Sequence, residues 1–244
     1  VTMRRRHWGY GLLLGTCLGV IGALMLPSGL RQLSSLGYIA LPLVLIRSLG
    51  QPLGTGPWVL LRTRLYRLLA LATLINSLVW YATPLLQRVT GLPLVFLMGL
   101  LVMWSCQRLI VSLAQEAVVN REVLTGALAG YLLLGLAAGL LFSALQTVVP
   151  SSFEGPVLAA TVSPSNQQVW QIDFVALNYF AFVTLTTLGY GDIHPTTAQS
   201  QMLCALTALS GTLYLVLVMG LLISRYTAQD VEQVIEDDAP GHRR

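Results

Sequence analysis

The segment Val183–Pro195 reads VTLTTLGYGDIHP and concentrates threonines, two glycines and an aspartate in one short stretch. Carbonyl and hydroxyl oxygens can replace the hydration shell of a cation that leaves water. The carbonyls of an ordinary strand alternate in direction, but Gly189 and Gly191 can adopt positive φ angles that turn successive carbonyls toward one axis. The segment therefore predicts a cation site made of backbone oxygens. Because one strand cannot surround an ion, several copies are expected around an axis.

Within this segment, each residue type has an expected part. Thr187 adds a hydroxyl at the inner end of the column of carbonyls, and the side chains of Leu188 and Tyr190 are expected to point away into supporting protein. Tyr179, which precedes the segment, is expected to pack beside it and can hydrogen-bond Asp192.

The composition is that of an integral membrane protein. Of the 244 residues, 55% are hydrophobic and only 10% are charged, whereas about 25% are charged in average soluble proteins. All fourteen basic residues are arginines, and they lie between apolar runs, so membrane topology explains them and no nucleic-acid binding is expected. The three cysteines show no metal-like spacing and are expected to be packing residues.

Six apolar stretches predict an all-α protein with six transmembrane helices. The second stretch is the weakest, because Arg31 shortens its apolar part and Pro42 interrupts its helix. The first is expected to be a retained helix rather than a cleaved signal peptide. The six stretches are Trp8–Pro27, Leu33–Leu49, Leu65–Leu86, Leu92–Leu113, Val123–Val149 and Ala198–Ile223.

The arginines are distributed unevenly between the two ends of these spans. If all six helices cross, only Arg31 and Arg88 fall on one side, and the other twelve of the fourteen arginines fall on the opposite side. The positive-inside rule places the arginine-rich side in the cytoplasm. Both termini are therefore expected to be cytoplasmic, and the polar loop Pro150–Gln171 is expected to be external.

The first span carries glycines at every fourth position, Gly11, Gly15 and Gly19. Such a strip lets another helix approach closely, so we expect helix packing there.

A half-length helix is expected between the fifth and sixth spans. The segment Asp173–Thr186 is apolar but covers only about 20 Å as a helix, which is too short to cross a bilayer. It must therefore enter the membrane and stop, and Asp173 is its expected N-cap. The negative end of its dipole would point toward the membrane centre, where it favours a cation.

The sequence TTLGYGD resembles the selectivity-filter signature of potassium channels, and the resemblance extends over Val123–Tyr226 as outer helix, pore helix, filter and inner helix. It implies a homotetramer of a prokaryotic-type cell-membrane channel, with K⁺ as the permeant ion and no cofactor. The filter residues implied are Thr187, Leu188, Gly189, Tyr190 and Gly191, with Asp192 at the outer mouth, and Tyr179, Val183 and Thr186 as supporting residues.

Two positions depart from the family or have a second explanation. Val183 stands where some members place a glutamate behind the filter, so the coupling of that carboxylate to Asp192 is missing here. Gly211 aligns with the hinge glycine of the inner helix and is the candidate gate hinge; close helix packing is the alternative explanation for a glycine there.

The predicted organisation is a four-helix membrane domain over residues 1–121, a pore domain over 122–226 and a short cytoplasmic tail over 227–244. The expected function is passive, potassium-selective conduction, since no enzyme motif occurs. Two alternatives stay open: a weakly selective monovalent cation channel, and a transporter or membrane-enzyme subunit with a vestigial pore loop.

Strong voltage gating is not expected despite the six-helix layout. A sensor needs about three or four charges per subunit moving through the field, whereas the fourth helix carries Arg108 near its cytoplasmic end and no repeat of arginines. Arg62, Arg64 and Arg67 precede the third span and are expected to anchor it at the headgroups. No acidic partner is available in the first three helices, because no Asp or Glu precedes Glu116.

Overall fold

The computed structural model describes residues 2–26, 31–52, 56–82, 87–114, 119–159 and 173–238. Its first half consists of four helices followed by the long helix α5. These are α1 (Thr2–Leu24), α2 (Arg31–Leu49), α3 (Pro57–Ala82), α4 (Gln87–Ala114) and α5 (Arg121–Val148).

The second half surrounds the TTLGYGD segment. Its elements are β1 (Phe153–Glu154), α6 (Pro156–Ala159), α7 (Asp173–Leu185), β2 (His194–Pro195), α8 (Ala198–Leu213), a π-helical segment (Tyr214–Met219) and α9 (Gly220–Asp238). The antiparallel pair of β1 and β2 is an addition to the predicted all-α fold. The predicted loop Pro150–Gln171 is described only in part, since residues 160–172 lie outside the described residues, as do residues 239–244 of the tail.

Helix α5 is the element on which the others assemble. Helices α1, α4, α7 and α8 all pack against α5. Buried side chains from α1, α2, α4 and α5, such as Leu13, Leu41, Leu101 and Leu133, form a single apolar core. Residue 121, the predicted domain boundary, coincides with the start of α5.

The packing of α5 relies on four glycines. A methyl group added at Gly126 would lie 2.9 Å from the Tyr10 ring, and one at Gly130 would lie 2.3 Å from the Tyr214 hydroxyl. Farther along, Gly135 faces Phe182 and Gly139 faces Asn178, both at distances shorter than a side chain allows. Two small-xxx-small pairs thus bring neighbouring helices against the α5 backbone.

The glycine strip of α1 behaves differently from what its spacing predicts. Nothing from this chain lies within 4 Å of a methyl group built at Gly11, Gly15 or Gly19, and all three residues are exposed. The predicted helix packing at this strip is therefore absent within the described part of one chain. Helix α1 instead uses its opposite side, where Leu13 and Cys17 are buried.

Helix α3 begins earlier than predicted. It starts at Pro57, eight residues before the apolar stretch Leu65–Leu86, because proline suits the first position of a helix. Arg62 and Arg64 therefore lie within the helix rather than in a loop before it. Helix α2 also continues through Pro42 without a break.

Three stretches of described residues are long and apolar enough to cross a membrane: Pro93–Ala114, Arg121–Val148 and Ala198–Gln229. Shorter apolar helices occur at Gly9–Leu24, Ile39–Leu49 and Phe174–Leu185. The last of these is the predicted half-length helix, which begins at Asp173 as expected.

The contrast between the two glycine sets gives a stability prediction. We expect Gly139→Ala to lower the free energy of unfolding by about 1–3 kcal/mol, because its new methyl group overlaps Asn178 in a packed contact. The matched control Gly15→Ala, which meets no atom within 4 Å, should leave stability unchanged or slightly raised. Thermal unfolding in detergent measures both, and equal midpoints for the two variants would contradict the importance of this contact.

Candidate functional site

Helix α7 is held in place along one side by α5. Its Asn178 is buried against Gly139 and donates a 2.8 Å hydrogen bond from Nδ2 to the Phe174 carbonyl. Phe182, one turn later, lies over Gly135. These contacts fix where α7 ends and therefore where the TTLGYGD segment begins.

The segment leaves α7 through hydrogen bonds to its last turn. The Val183 carbonyl accepts the Leu188 N–H at 3.0 Å, and the Thr187 N–H donates to the Thr184 carbonyl at 3.0 Å. The Thr186 hydroxyl donates back to the Phe182 carbonyl at 2.6 Å. Val183, predicted as a supporting residue, is buried and acts here through its carbonyl.

The backbone beyond α7 alternates in handedness. Thr187, Gly189 and Gly191 have φ angles of 59°, 61° and 80°, so every second residue is left-handed. The positive angles expected of the two glycines are confirmed. Thr187 was not expected to adopt one, because a β-branched residue in this region costs on the order of 1–3 kcal/mol. Such alternation is the conformation that lets successive carbonyls share a direction.

Two side chains of the segment are not covered by their own chain. Leu188 is 59% exposed and Tyr190 is 66% exposed, whereas both were expected to point into supporting protein. Within the described residues of a single chain that support is missing.

At the C-terminal end of the TTLGYGD segment, Tyr179 holds the segment in place. Its hydroxyl donates a 2.8 Å hydrogen bond to Asp192 Oδ2, which confirms the contact expected from sequence. This bond raises the pKa of the Tyr179 phenol above its ordinary value, since losing the proton would set two negative charges side by side. Tyr179 therefore remains a donor at neutral pH.

The chain after α5 also holds the C-terminal end of the TTLGYGD segment. Strand β1 pairs with β2, with Phe153 opposite Pro195 and Glu154 opposite His194. Phe153 inserts into a cluster with Phe142 and Phe180, at centroid distances of 5.0 to 5.7 Å.

Gly155 follows β1 and packs directly against the carbonyl of Asp192, since an added methyl group would be 2.0 Å from the carbonyl oxygen. This residue was not identified from sequence, because a lone glycine in a loop carries no specific signal.

The inner helix contacts α7 through Gly211, the candidate hinge. A methyl group at this position would lie 2.3 Å from the Leu185 carbonyl, so the glycine permits close packing of α8 on the end of α7. The role of Gly211 as a hinge stays a prediction.

Directly after α8, the π-helical segment begins at Tyr214. The buried Tyr214 hydroxyl donates a 2.7 Å hydrogen bond to the Ala127 carbonyl of α5. The Gly220 N–H bonds the Leu215 carbonyl, five residues back, as a π-helix requires. A tyrosine in an apolar helix gave no sequence signal for either feature.

Comparison with known proteins supports an ion-conducting role for this region. Residues 130–228 match a protein-family model described as "Ion channel". The match runs from Gly130 of α5 through α7, the TTLGYGD segment and α8 into α9. No curated protein and no solved structure matches the chain. The resemblance to an ion-channel family drawn from sequence is thus confirmed over residues 130–228, and the match supports passive ion conduction across a membrane by this part of the chain.

The Gly155 contact predicts a local effect on the loop that follows the TTLGYGD segment. In Gly155→Ala the new methyl group meets a backbone carbonyl, which cannot rotate away, so the Asp192–Thr196 loop must shift. Hydrogen exchange of peptides covering this loop should accelerate about tenfold, which corresponds to about 1.4 kcal/mol of local stability. Gly56→Ala, at a loop glycine with room for a methyl group, is the control. Unchanged exchange in Gly155→Ala would show that Gly155 does not support the loop.

Proposed function

We propose that the protein is a potassium-selective channel whose filter is formed by Thr187–Gly191. The observation that carries this proposal is the alternation of positive φ angles at Thr187, Gly189 and Gly191, directly after a half-length helix. Aligned carbonyls of this kind replace the hydration shell of a dehydrated monovalent cation. Asp192, which accepts a hydrogen bond from Tyr179, would then lie at the outer mouth. The channel requires the permeant ion and no cofactor.

We further propose that four identical chains surround the pore. One chain supplies one strand, and its Leu188 and Tyr190 lack cover. The inner helix is also largely unburied, with exposed apolar side chains along its whole length. These include Met202, Leu206, Leu209, Leu213, Val216, Leu217 and Leu221. Neighbouring chains would cover part of this surface and provide the support that the filter side chains lack.

The proposed topology has six crossings, with α7 as a re-entrant helix between the fifth and the sixth. The arginine distribution favours cytoplasmic termini and an external position for the β1–β2 pair. A cell membrane of prokaryotic type is the proposed location.

Ion replacement tests the selectivity. Purified protein is reconstituted in a planar bilayer, with K⁺ on one side and Na⁺ at the same concentration on the other. The current should reverse far from zero voltage, because K⁺ permeates and Na⁺ does not. Gly189→Ala should abolish this selectivity while leaving assembly intact, because alanine in the left-handed region costs about 1–2 kcal/mol in every chain. Gly220→Ala, at a glycine with room for a methyl group, is the matched control.

The outcomes separate the candidate functions. Equal permeability to K⁺ and Na⁺ would identify a weakly selective cation channel. Absence of flux through a correctly assembled protein would favour the transporter or subunit alternative. Normal selectivity in Gly189→Ala would show that the strand does not form the filter.

The four-helix bundle is proposed to lack a working voltage sensor, since Arg108 of α4 is held by hydrogen bonds and an aromatic contact. Arg108 is buried and donates from Nε to the Leu49 carbonyl at 3.0 Å and from Nη2 to the Gln51 carbonyl at 2.7 Å. Its guanidinium also lies 4.7 Å from the centre of the Tyr66 ring. The Tyr66 hydroxyl in turn bonds Ser105 at 2.8 Å. A charge held in this way does not travel through the membrane field.

Open probability is therefore expected to vary only weakly with voltage. Arg108→Gln should leave the slope of the conductance–voltage curve unchanged, yet lower the free energy of unfolding by about 2 kcal/mol because charge-assisted hydrogen bonds are lost. Recordings in symmetrical K⁺ and thermal unfolding measure the two effects. A steep curve that flattens in Arg108→Gln would overturn the proposal.

A further inference from the structure

The side-chain amide of Asn178 lies in the contact between α7 and α5, and only half of its hydrogen-bonding capacity is used. Its Nδ2 donates a 2.8 Å hydrogen bond to the Phe174 carbonyl of the same helix. Only the NH₂ group can donate to a carbonyl, so this bond fixes the orientation of the amide and turns Oδ1 toward Gly139. Asn178 is 1% exposed, and its Oδ1 has no hydrogen-bond donor among the described residues.

A buried amide oxygen without a donor opposes folding, and most buried polar atoms of native proteins have a partner. The space beside Gly139 where a side chain would stand is occupied by this oxygen, which therefore meets a Cα–H group, only a weak donor. Leu177 and Ala181, the buried neighbours of Asn178 on α7, are apolar. The contact thus holds an amide where a leucine of similar volume would leave no polar atom unpaired.

A hydroxyl donor lies one turn farther along α5. Ser143 is 7% exposed and donates from Oγ to the Gly139 carbonyl at 2.8 Å. In an α-helix this carbonyl also accepts the backbone N–H four residues later, so the Ser143 hydroxyl satisfies no group that would otherwise be unpaired. Ser143 and Asn178 therefore meet at Gly139 as an amide–hydroxyl pair, one with a free choice of acceptor and one without a donor.

We propose that the contact between α5 and α7 has a second state, in which the Ser143 hydroxyl donates to Asn178 Oδ1. Rotation of the Ser143 side chain releases the Gly139 carbonyl, which keeps its backbone hydrogen bond. A displacement of α7 along α5 by less than one helical turn, about 5.4 Å, then brings the amide to the hydroxyl. Gly139 has no side chain that would block this movement. The new hydrogen bond offsets the packing lost where Phe182 leaves Gly135.

The second state changes the TTLGYGD segment, because the segment begins at the last turn of α7. The Val183 and Thr184 carbonyls of that turn accept the N–H groups of Leu188 and Thr187. A displaced α7 carries these carbonyls with it, so the left-handed conformation of Thr187 loses its support. The second state is therefore non-conducting, and the amide–hydroxyl pair is a conformational switch. The consequence for conduction rests on the proposed function, whereas the exchange of hydrogen bonds does not.

Hydrogen exchange tests the switch without any ion flux. In the full-length protein in detergent, peptides covering residues 184–190 report the amide hydrogens of Thr187 and Leu188, which exchange when the last turn of α7 is displaced. Ser143→Ala removes the donor and leaves the backbone hydrogen bonds of α5 in place. We expect about tenfold slower exchange, because the second state loses its hydrogen bond. Thr147→Ala is the matched control, since Thr147 donates to the Ser143 carbonyl in the same way, and it should leave exchange unchanged.

The acceptor is tested by Asn178→Leu, which removes the unpaired oxygen at similar volume. This variant should slow exchange by about the same factor. The double variant with Ser143→Ala should slow it no further, because both changes remove one and the same hydrogen bond. In single-channel recordings in symmetrical K⁺, the ratio of closed to open time should fall about tenfold in Ser143→Ala.

Exchange in Ser143→Ala equal to that in Thr147→Ala would overturn the switch, as would a double variant whose effect is the product of the single effects. Slower exchange with an unchanged ratio of closed to open time would overturn its role in gating. The expected exchange in a protein that does not select K⁺ would support the switch and count against the proposed function alone. If Asn178→Leu does not assemble, the comparison of Ser143→Ala with Thr147→Ala decides.

Discussion

The site depends on the contact between α7 and the glycine surface of α5. Gly135 and Gly139 have no side chains, so Phe182 and Asn178 reach the α5 backbone, and the position of α7 is set by backbone rather than by flexible side chains. The last turn of α7 then supplies the carbonyls that start the TTLGYGD segment. Any added atom in this contact moves the end of α7, and with it the first left-handed residue, Thr187.

The same helix connects the other parts of the molecule. On α5, Gly126 and Gly130 accommodate Tyr10 of α1 and Tyr214 of the inner helix. The four-helix bundle and the inner helix therefore contact neighbouring turns of one element, while α7 contacts the next turns. Small residues make these contacts close, and close contacts transmit displacement because packed interiors yield little. A displacement of α5 would therefore change the positions of the four-helix bundle, the inner helix and α7.

The sequence was sufficient for the parts of the structure that follow from composition or from glycine. Long apolar stretches predicted the helices, and Gly189 and Gly191 predicted positive φ angles that the structure contains. The left-handed Thr187 could not be predicted, because a threonine disfavours this conformation and adopts it only where surrounding hydrogen bonds impose it. Hydropathy does not predict the start of α3 at Pro57, because the first turns of this helix carry arginines and the helix begins through the chemistry of its proline rather than through an apolar run.

Glycine spacing in the sequence does not predict which neighbouring element packs against a glycine. Spacing alone suggested packing at Gly11, Gly15 and Gly19, yet no atom of the described residues lies within 4 Å of a methyl group built there, whereas four glycines of α5 are closely packed. Spacing describes one helix surface, whereas packing depends on which neighbour the remaining chain brings to it. The Gly155 contact with Asp192 shows the same limit, because it joins two loops far apart in sequence.

The π-helical segment changes how the inner helix must be counted. A π turn holds more residues than an α turn, and each residue of an α-helix advances about 100° around the axis. A residue on α9 therefore does not face the direction that regular α-helical counting from α8 assigns to it. An ungapped alignment of this helix with an uninterrupted one would pair residues from different faces beyond Met219. A comparison that respects the geometry must place a one-residue gap within Tyr214–Met219 and restart the helical count at Gly220.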